Sequence, residues 1–282
     1  ICPHLGGMSS YYTLPRNFPD RAAMFSHVVS LSSPETNAIT GPDVRAPSPI
    51  AGGRAEAEAA LAKIDLRAYA ASRNHLDGAV THLSPYIRHG ILSLDEVRNH
   101  ALATVADPKA AEKFIQELAW RDYWQRIYAT YPDRIWQDVE PYKTGFDASE
   151  YEDDLPRDIA NGATGVACID QFVNMLADTG YLHNHARMYL AAYIVHWRRV
   201  RWQAGARWFL QHLLDGDPAS NNLSWQWIAS TFSNKPYIFN LDNVAKYCGA
   251  DINTVPRHNL VLDQSYERLS DLLFPHMGGP HG

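Results

Sequence analysis

Cysteine is scarce: Cys2, Cys168 and Cys248 are the three in 282 residues, too few and too widely spaced for a disulfide framework or a four-thiolate metal site. A reducing compartment, hence a cytoplasmic location, is the expectation. Long apolar runs are also missing. Stretches such as residues 190–195 fall far short of the roughly 20 residues that a membrane helix needs, so no membrane is expected. Excess positive charge is absent: 25 Lys plus Arg stand against 31 Asp plus Glu, a formal charge of −6. A strongly basic nucleic-acid coat is therefore excluded, and any contact with nucleic acid falls to a local patch. The N-terminus carries no charged segment followed by an apolar run of signal length, so secretion is not expected. Intrinsic disorder is ruled out by an apolar fraction of 46%.

Aromatic residues, by contrast, are abundant, with 8 Trp and 15 Tyr, many of them in the second half beside Arg, His and Asn. Residues 1–53 hold 7 of the 17 prolines, and Pro42, Pro47, Pro49 and Gly52-Gly53 defeat any long helix. Residues 1–54 are read as an irregular arm and 55–282 as a helical domain. Ala57, Leu61, Ile64 and Ala68 predict a helix to about Ala71. Ser93 with Glu96 makes a capping-box pattern, and Pro108 opens a long aromatic helix that Pro132 ends. Residues 141–165 read as connection with at most one short helix. The stripe Val166, Ile169, Val173 and Leu176 predicts a helix ending at Gly180. Further helices are expected over about 184–203, 206–214 and 225–229, with 215–224 as polar loop. No strand pattern or βαβ rhythm is present, so the fold class is mostly α.

Several segments carry more polar and aromatic chemistry than an amphipathic helix needs. Glu117, Trp120, Arg121 and Trp124 share one helix face, either as a surface Glu117–Arg121 ion pair flanked by core tryptophans or as part of a site. Asn184, Arg187 and Met188 share another face, beside His183 and His185, whose spacing suits no helical metal-ligand pair. Asp215, Asp217, Asn221, Asn222, Trp225 and Trp227 crowd into 13 residues that lack the spacing of an EF-hand, so no metal site is assigned. Burying those carboxylates and amides is costly unless they are hydrogen-bonded, and a flat heteroaromatic ligand satisfies them. The segment from Thr81 through Ser84 to Tyr86 offers hydroxyls near a helix start, suited to phosphate.

In order and spacing, these blocks resemble the FAD-binding helical domain of the DNA photolyase and cryptochrome family, over about residues 56–240. The N-terminal antenna domain of that family has no counterpart in the roughly 55 residues ahead of the match, too few for a doubly wound sheet. The resemblance implies an FAD cofactor with Tyr69, Thr81 and Ser84 at its diphosphate, Arg187, Asp215 and Asp217 beside its ring, and Asn221 facing flavin N5. It implies a lesion cavity lined by Glu117, Trp120, Asn184, Met188 and Trp227, in which tryptophans stack on an extruded pyrimidine dimer. Trp225 and Trp202 match the inner and middle members of an electron relay. Position 149 has no outer tryptophan, and Tyr151 is the nearest candidate. Arg73 and Arg121 match DNA-contacting arginines, whereas His185 stands where many members have Arg, and residues 235–240 lack one often found there. The implied function is antenna-free, light-driven electron transfer from reduced FAD to repair cyclobutane pyrimidine dimers, in single-stranded DNA more than in duplex. The alternative is a cryptochrome-like photoreceptor or FAD-binding subunit, acting with a separate protein partner.

Overall fold

The computed structural model describes residues 17–30 and 48–277. Cys2, most of the expected irregular arm and the terminal Gly278 and Gly279 lie outside the described residues. The chain divides into two compact units after Ile39. The first contains one described helix, α1 (Arg21–Ser30). Its ten residues carry no Pro or Gly, and Asp20 Oδ1 accepts the Ala23 N–H at 2.7 Å, so this part of the expected irregular arm is helical.

The described elements of the second unit are helices joined by loops, and among the described residues the sole β feature is a bridge between Glu152 and Val200. The helix expected from residue 54 is two: α2 (Arg54–Ala62) and α3 (Leu66–Ser72). Asp65 restarts the chain by accepting the backbone N–H of Arg67 and Ala68. Next come α4 (Ser84–Arg88) and α5 (Leu94–Ala103), the latter opened by the expected Ser93/Glu96 capping box. The long helix α6 (Glu112–Thr130) follows a 3₁₀ turn that begins at Pro108. A short α7 (Arg157–Ala160) leads into α8 (Ala167–Thr179), which ends at Gly180 in the left-handed conformation expected of a C-cap glycine.

Two further expectations need correction. The helix expected over 184–203 stops early: α9 (Asn184–Ala192) runs into a π turn (Tyr193–Trp197), and α10 (Trp202–His212) is a new helix. Between them the backbone of Arg199 and Arg201 pairs with Glu152 at 2.7 and 2.9 Å, and Arg199 takes a positive φ. Hydrogen bonds to the distant Glu152 segment therefore replace helical ones. The expected polar loop at 215–224 is mostly helix, α11 (Pro218–Ala229), because Asp217 caps it and Pro218 occupies its first turn. The chain continues with α12 (Leu241–Cys248) and α13 (Tyr266–Leu273).

The main core lies in the second half, where Trp202, Phe209, Tyr189 and Trp225 are buried. Helices α10 and α11 approach closely at Gly205. A Cβ there would stand 2.2 Å from the Trp225 ring.

Two buried histidines couple this packing to pH. His183 and His196 are 5% and 1% exposed. Burial, aided at His183 by its neighbour His185, lowers both to about 4. Between that value and the ordinary value near 6.5, the unfolded chain binds protons that the folded chain refuses. Stability is therefore fully present above about pH 6.5 and falls on acidification toward about pH 4, by about 3 kcal/mol per histidine. Urea unfolding at a series of pH values measures this, and flat stability across the window would contradict it.

Candidate functional site

The site is assembled around α6, which turns different faces to different neighbours. Toward α11 it sends Arg121 and Gln125. Gln125 Nε2 donates to Asp217 Oδ2, and Arg121 lies 3.8 Å from the same oxygen. Asp217 Oδ1 accepts the Ser220 N–H at 3.0 Å, so this carboxylate caps its own helix as well as facing Arg121. Burial lowers the Arg121 pKa, against the pull of Asp217 and Asp215.

Asp215 is 6% exposed. Both its oxygens accept from Arg187 Nη2, at 3.0 and 2.8 Å, and the Ser84 hydroxyl also bonds to it. Burial alone would push this carboxyl up, but Arg187, Ser84 and Arg121 outweigh it and hold the pKa below the usual value. Arg187 is fixed in turn: its Nε donates to Leu182 O at 2.7 Å and its guanidinium lies over Tyr181. The loop bearing Asp215 is anchored by α4 and its C-cap, with Arg88 on Gly216 O at 2.6 Å and His89 on Leu214 O at 2.9 Å. Ser84, Arg121, Arg187, Asp215 and Asp217, scattered along the sequence, thus form one charged cluster.

Asn221 stands one turn beyond Asp217. Its amide donates to Ala206 O at 3.1 Å and to Asn222 Oδ1 at 2.9 Å. Beside it the Ser220 hydroxyl is buried without a partner. Thr81 is set apart, lining a cavity of about 410 Å³ with Lys63, Asp65, Val80 and His82. Tyr69 packs edge-on against Phe114 at 5.2 Å.

Glu117 and Arg121 do not pair with each other as one sequence reading had it. Glu117 meets Arg73 at 3.1 Å and Lys113 at 3.0 Å. Nor are the tryptophans of α6 core residues: Trp120 is 51% exposed and stacks on Trp124, which meets Phe232 edge-on. Trp227 is 45% exposed, beside Tyr237. On α9, Asn184 Nδ2 approaches Met188 Sδ at 3.6 Å. His183 caps that helix: its Nδ1 accepts the His185 N–H, leaving Nε2–H to donate to Arg73 O at 3.1 Å.

Trp225 and Trp202 are both buried, and Gly205 brings the Trp225 ring against α10. The indole stacked on Trp202 is Trp136, at 6.5 Å and 13°. Spacing gave no signal for Trp136. Tyr151 instead stacks on Tyr142, at 4.3 Å and 25°, and Tyr142 Oη accepts the backbone N–H of Trp202 at 3.5 Å.

A sequence profile described as the FAD binding domain of DNA photolyase matches residues 114–254. The chain belongs to that family. A deoxyribodipyrimidine photo-lyase of Streptomyces griseus is 36% identical over 54% of this chain and 32% of its own length. One from Alkalihalophilus pseudofirmus is 33% identical over 58% and 34%. The chain spans about a third of the length of these curated relatives. A solved class III photolyase of Agrobacterium tumefaciens superposes with a TM-score of 0.64 at 25% identity, covering 86% of this chain and 51% of the other. An archaeal photolyase of Sulfolobus tokodaii, solved with two FAD molecules, gives 0.60 at 31% identity over 72% and 46%. The photolyase-type region runs from the first turn of α6 through α12 and holds Glu117, Arg187 and Asp215 through Trp227, whereas Tyr69, Arg73, Thr81, Ser84 and Lys113 lie before it.

The residues present fit an FAD. Two buried carboxylates with two guanidiniums and the unpartnered Ser220 hydroxyl form a donor and acceptor set for the polar edge of a flat ring. Among the described residues, no helix is long and apolar enough to cross a membrane.

Proposed function

We propose that this domain binds FAD and acts on DNA carrying cyclobutane pyrimidine dimers as a light-driven repair enzyme. The observation that carries the reading is the division of labour along α6: Arg121 and Gln125 point to the buried acidic cluster, while Trp120 stays exposed. Bound FAD in its reduced form supplies the light-driven electron transfer that splits the dimer. The protein's part is to hold and orient. Arg187, Asp215 and Asp217 bind the ring edge, Asn221 faces the ring with an amide whose N–H groups rest on Ala206 O and Asn222 Oδ1, and Tyr69, Thr81 and Ser84 serve the diphosphate. Trp120 and Trp227 offer stacking faces, while Glu117, Asn184 and Met188 line the place where an extruded dimer is held.

Trp225 and Trp202 are the buried members of the relay, and Trp136 extends the stack. Trp225→Phe is expected to slow photoreduction of the bound flavin by an external reductant at least about tenfold, a barrier change of about 1.4 kcal/mol. Equal rates in the two proteins would show entry by another path.

Single-stranded DNA is the preferred substrate, since such a strand has already given up the pairing that a duplex must lose. One observation favours a second reading, a photoreceptor or FAD-carrying subunit with a separate protein partner. Arg73 and Arg121 are both engaged with carboxylates, and His185 is partly buried where an arginine would add charge. Anisotropy titration of dimer-containing and undamaged oligothymidine separates the two: repair requires a preference for the dimer strand, and equal weak binding supports the second reading.

A further inference from the structure

We infer that Arg73 and Lys113 are positioning residues for the Glu117 carboxylate, and that Arg73 is not a DNA phosphate contact. The inference rests on the proposed repair function. Its basis is the way the two cations meet Glu117. Arg73 Nη2 and Lys113 Nζ, from α3's C-cap and the first turn of α6, converge on one oxygen, Oε1, at 3.1 and 3.0 Å. The other oxygen, Oε2, makes no hydrogen bond among the described residues. Two cations meeting one oxygen orient the carboxylate, and its second oxygen remains as an acceptor. That acceptor suits an N–H on the edge of a base.

Arg73 is held from other sides too. Its backbone carbonyl accepts from His183 at 3.1 Å, and its guanidinium lies 6.0 Å from the Tyr69 ring centre. Its side chain is 23% exposed, against 42% for Lys113. A guanidinium with a carboxylate at 3.1 Å offers a phosphate little net charge, and a phosphate placed there would be repelled by Glu117.

The two roles differ in how binding responds to salt. Dimer-containing and undamaged oligothymidine are titrated in the dark, over a range of salt, against wild type, Arg73→Met, Arg73→Lys, Lys113→Met, Glu117→Gln and the Arg73→Met/Glu117→Gln pair. Positioning predicts that Arg73→Met lowers preference for the dimer strand about tenfold, the worth of one charge-assisted hydrogen bond. The slope of log K against log salt stays at the wild-type value, Arg73→Lys restores most of the preference, and the double variant matches Glu117→Gln alone. Lys113→Met, a change on the surface of a helix, shifts preference in the same direction and guards against misfolding of the Arg73 variant. A slope shallower by about 0.7, with equal loss on both strands, would mark a lost phosphate contact and overturn the inference. Wild type that binds both strands equally would instead sink the repair reading, and this inference with it.

Discussion

Asp215→Ala is expected to release FAD from the purified protein. The carboxylate is 6% exposed and is the charged partner of Arg187. Its removal leaves a guanidinium whose other bonds, to Leu182 O and the Tyr181 ring, hold it in place. Breaking one side of a buried pair costs about 3 to 5 kcal/mol, a loss of about a hundredfold to several thousandfold if it falls on FAD affinity. Asp215→Asn keeps the shape and part of the hydrogen bonding, so its loss should be smaller. Flavin absorbance after gel filtration, with titration of FAD into the stripped proteins, gives both numbers. An alanine variant that keeps wild-type flavin content would refute the pairing of Arg187 and Asp215 as the flavin-binding element.

The second large effect belongs to Trp120. Its indole is 51% exposed and already stacked on Trp124 at 5.4 Å, so a flat aromatic surface stands open to solvent at the cost of little buried area. Trp120→Ala should weaken binding of a dimer-containing single strand by about 1 to 3 kcal/mol, or about 5- to 150-fold. Folding stability should fall by no more than about 1 kcal/mol, since the indole is half exposed and its main packing partner is the Trp124 ring. Trp227→Ala should act in the same direction. Anisotropy for binding and urea unfolding for stability check the contrast. Unchanged binding, or a loss of stability that accounts for it, would remove Trp120 from the site.

Much of the fold was legible in the sequence, and the misses have two causes. Gly180 and the Ser93/Glu96 box are local devices, so spacing alone located those helix boundaries. The interruption at Arg199 was not local: it depends on the backbone of Glu152, 47 residues earlier. Helix α11 was missed for a different reason. The run from Asp217 to Asn222 has loop composition, but Asp217-Pro218 is also a strong helix start, and in the folded chain the start signal prevails.

The site shows the same division. The residue types of the charged cluster stood out in the sequence, whereas Ser84 on Asp215 and Arg73 on Glu117 are partnerships across the fold that spacing alone does not identify. Trp136 was silent because nothing in its neighbourhood predicts that it will stack on an indole 66 positions later. Asp217, expected as a ring contact, also caps its own helix, a role that the Asp217-Pro218 pair signals in the sequence.

The most direct measurement is illumination of the fully reduced, FAD-loaded protein with dimer-containing oligothymidine while thymine absorbance is followed. Recovery of that absorbance in the light, none in the dark, and a faster rate on single strands than on duplex are expected. No recovery from a correctly reduced, FAD-loaded sample would contradict repair and leave the photoreceptor or subunit reading.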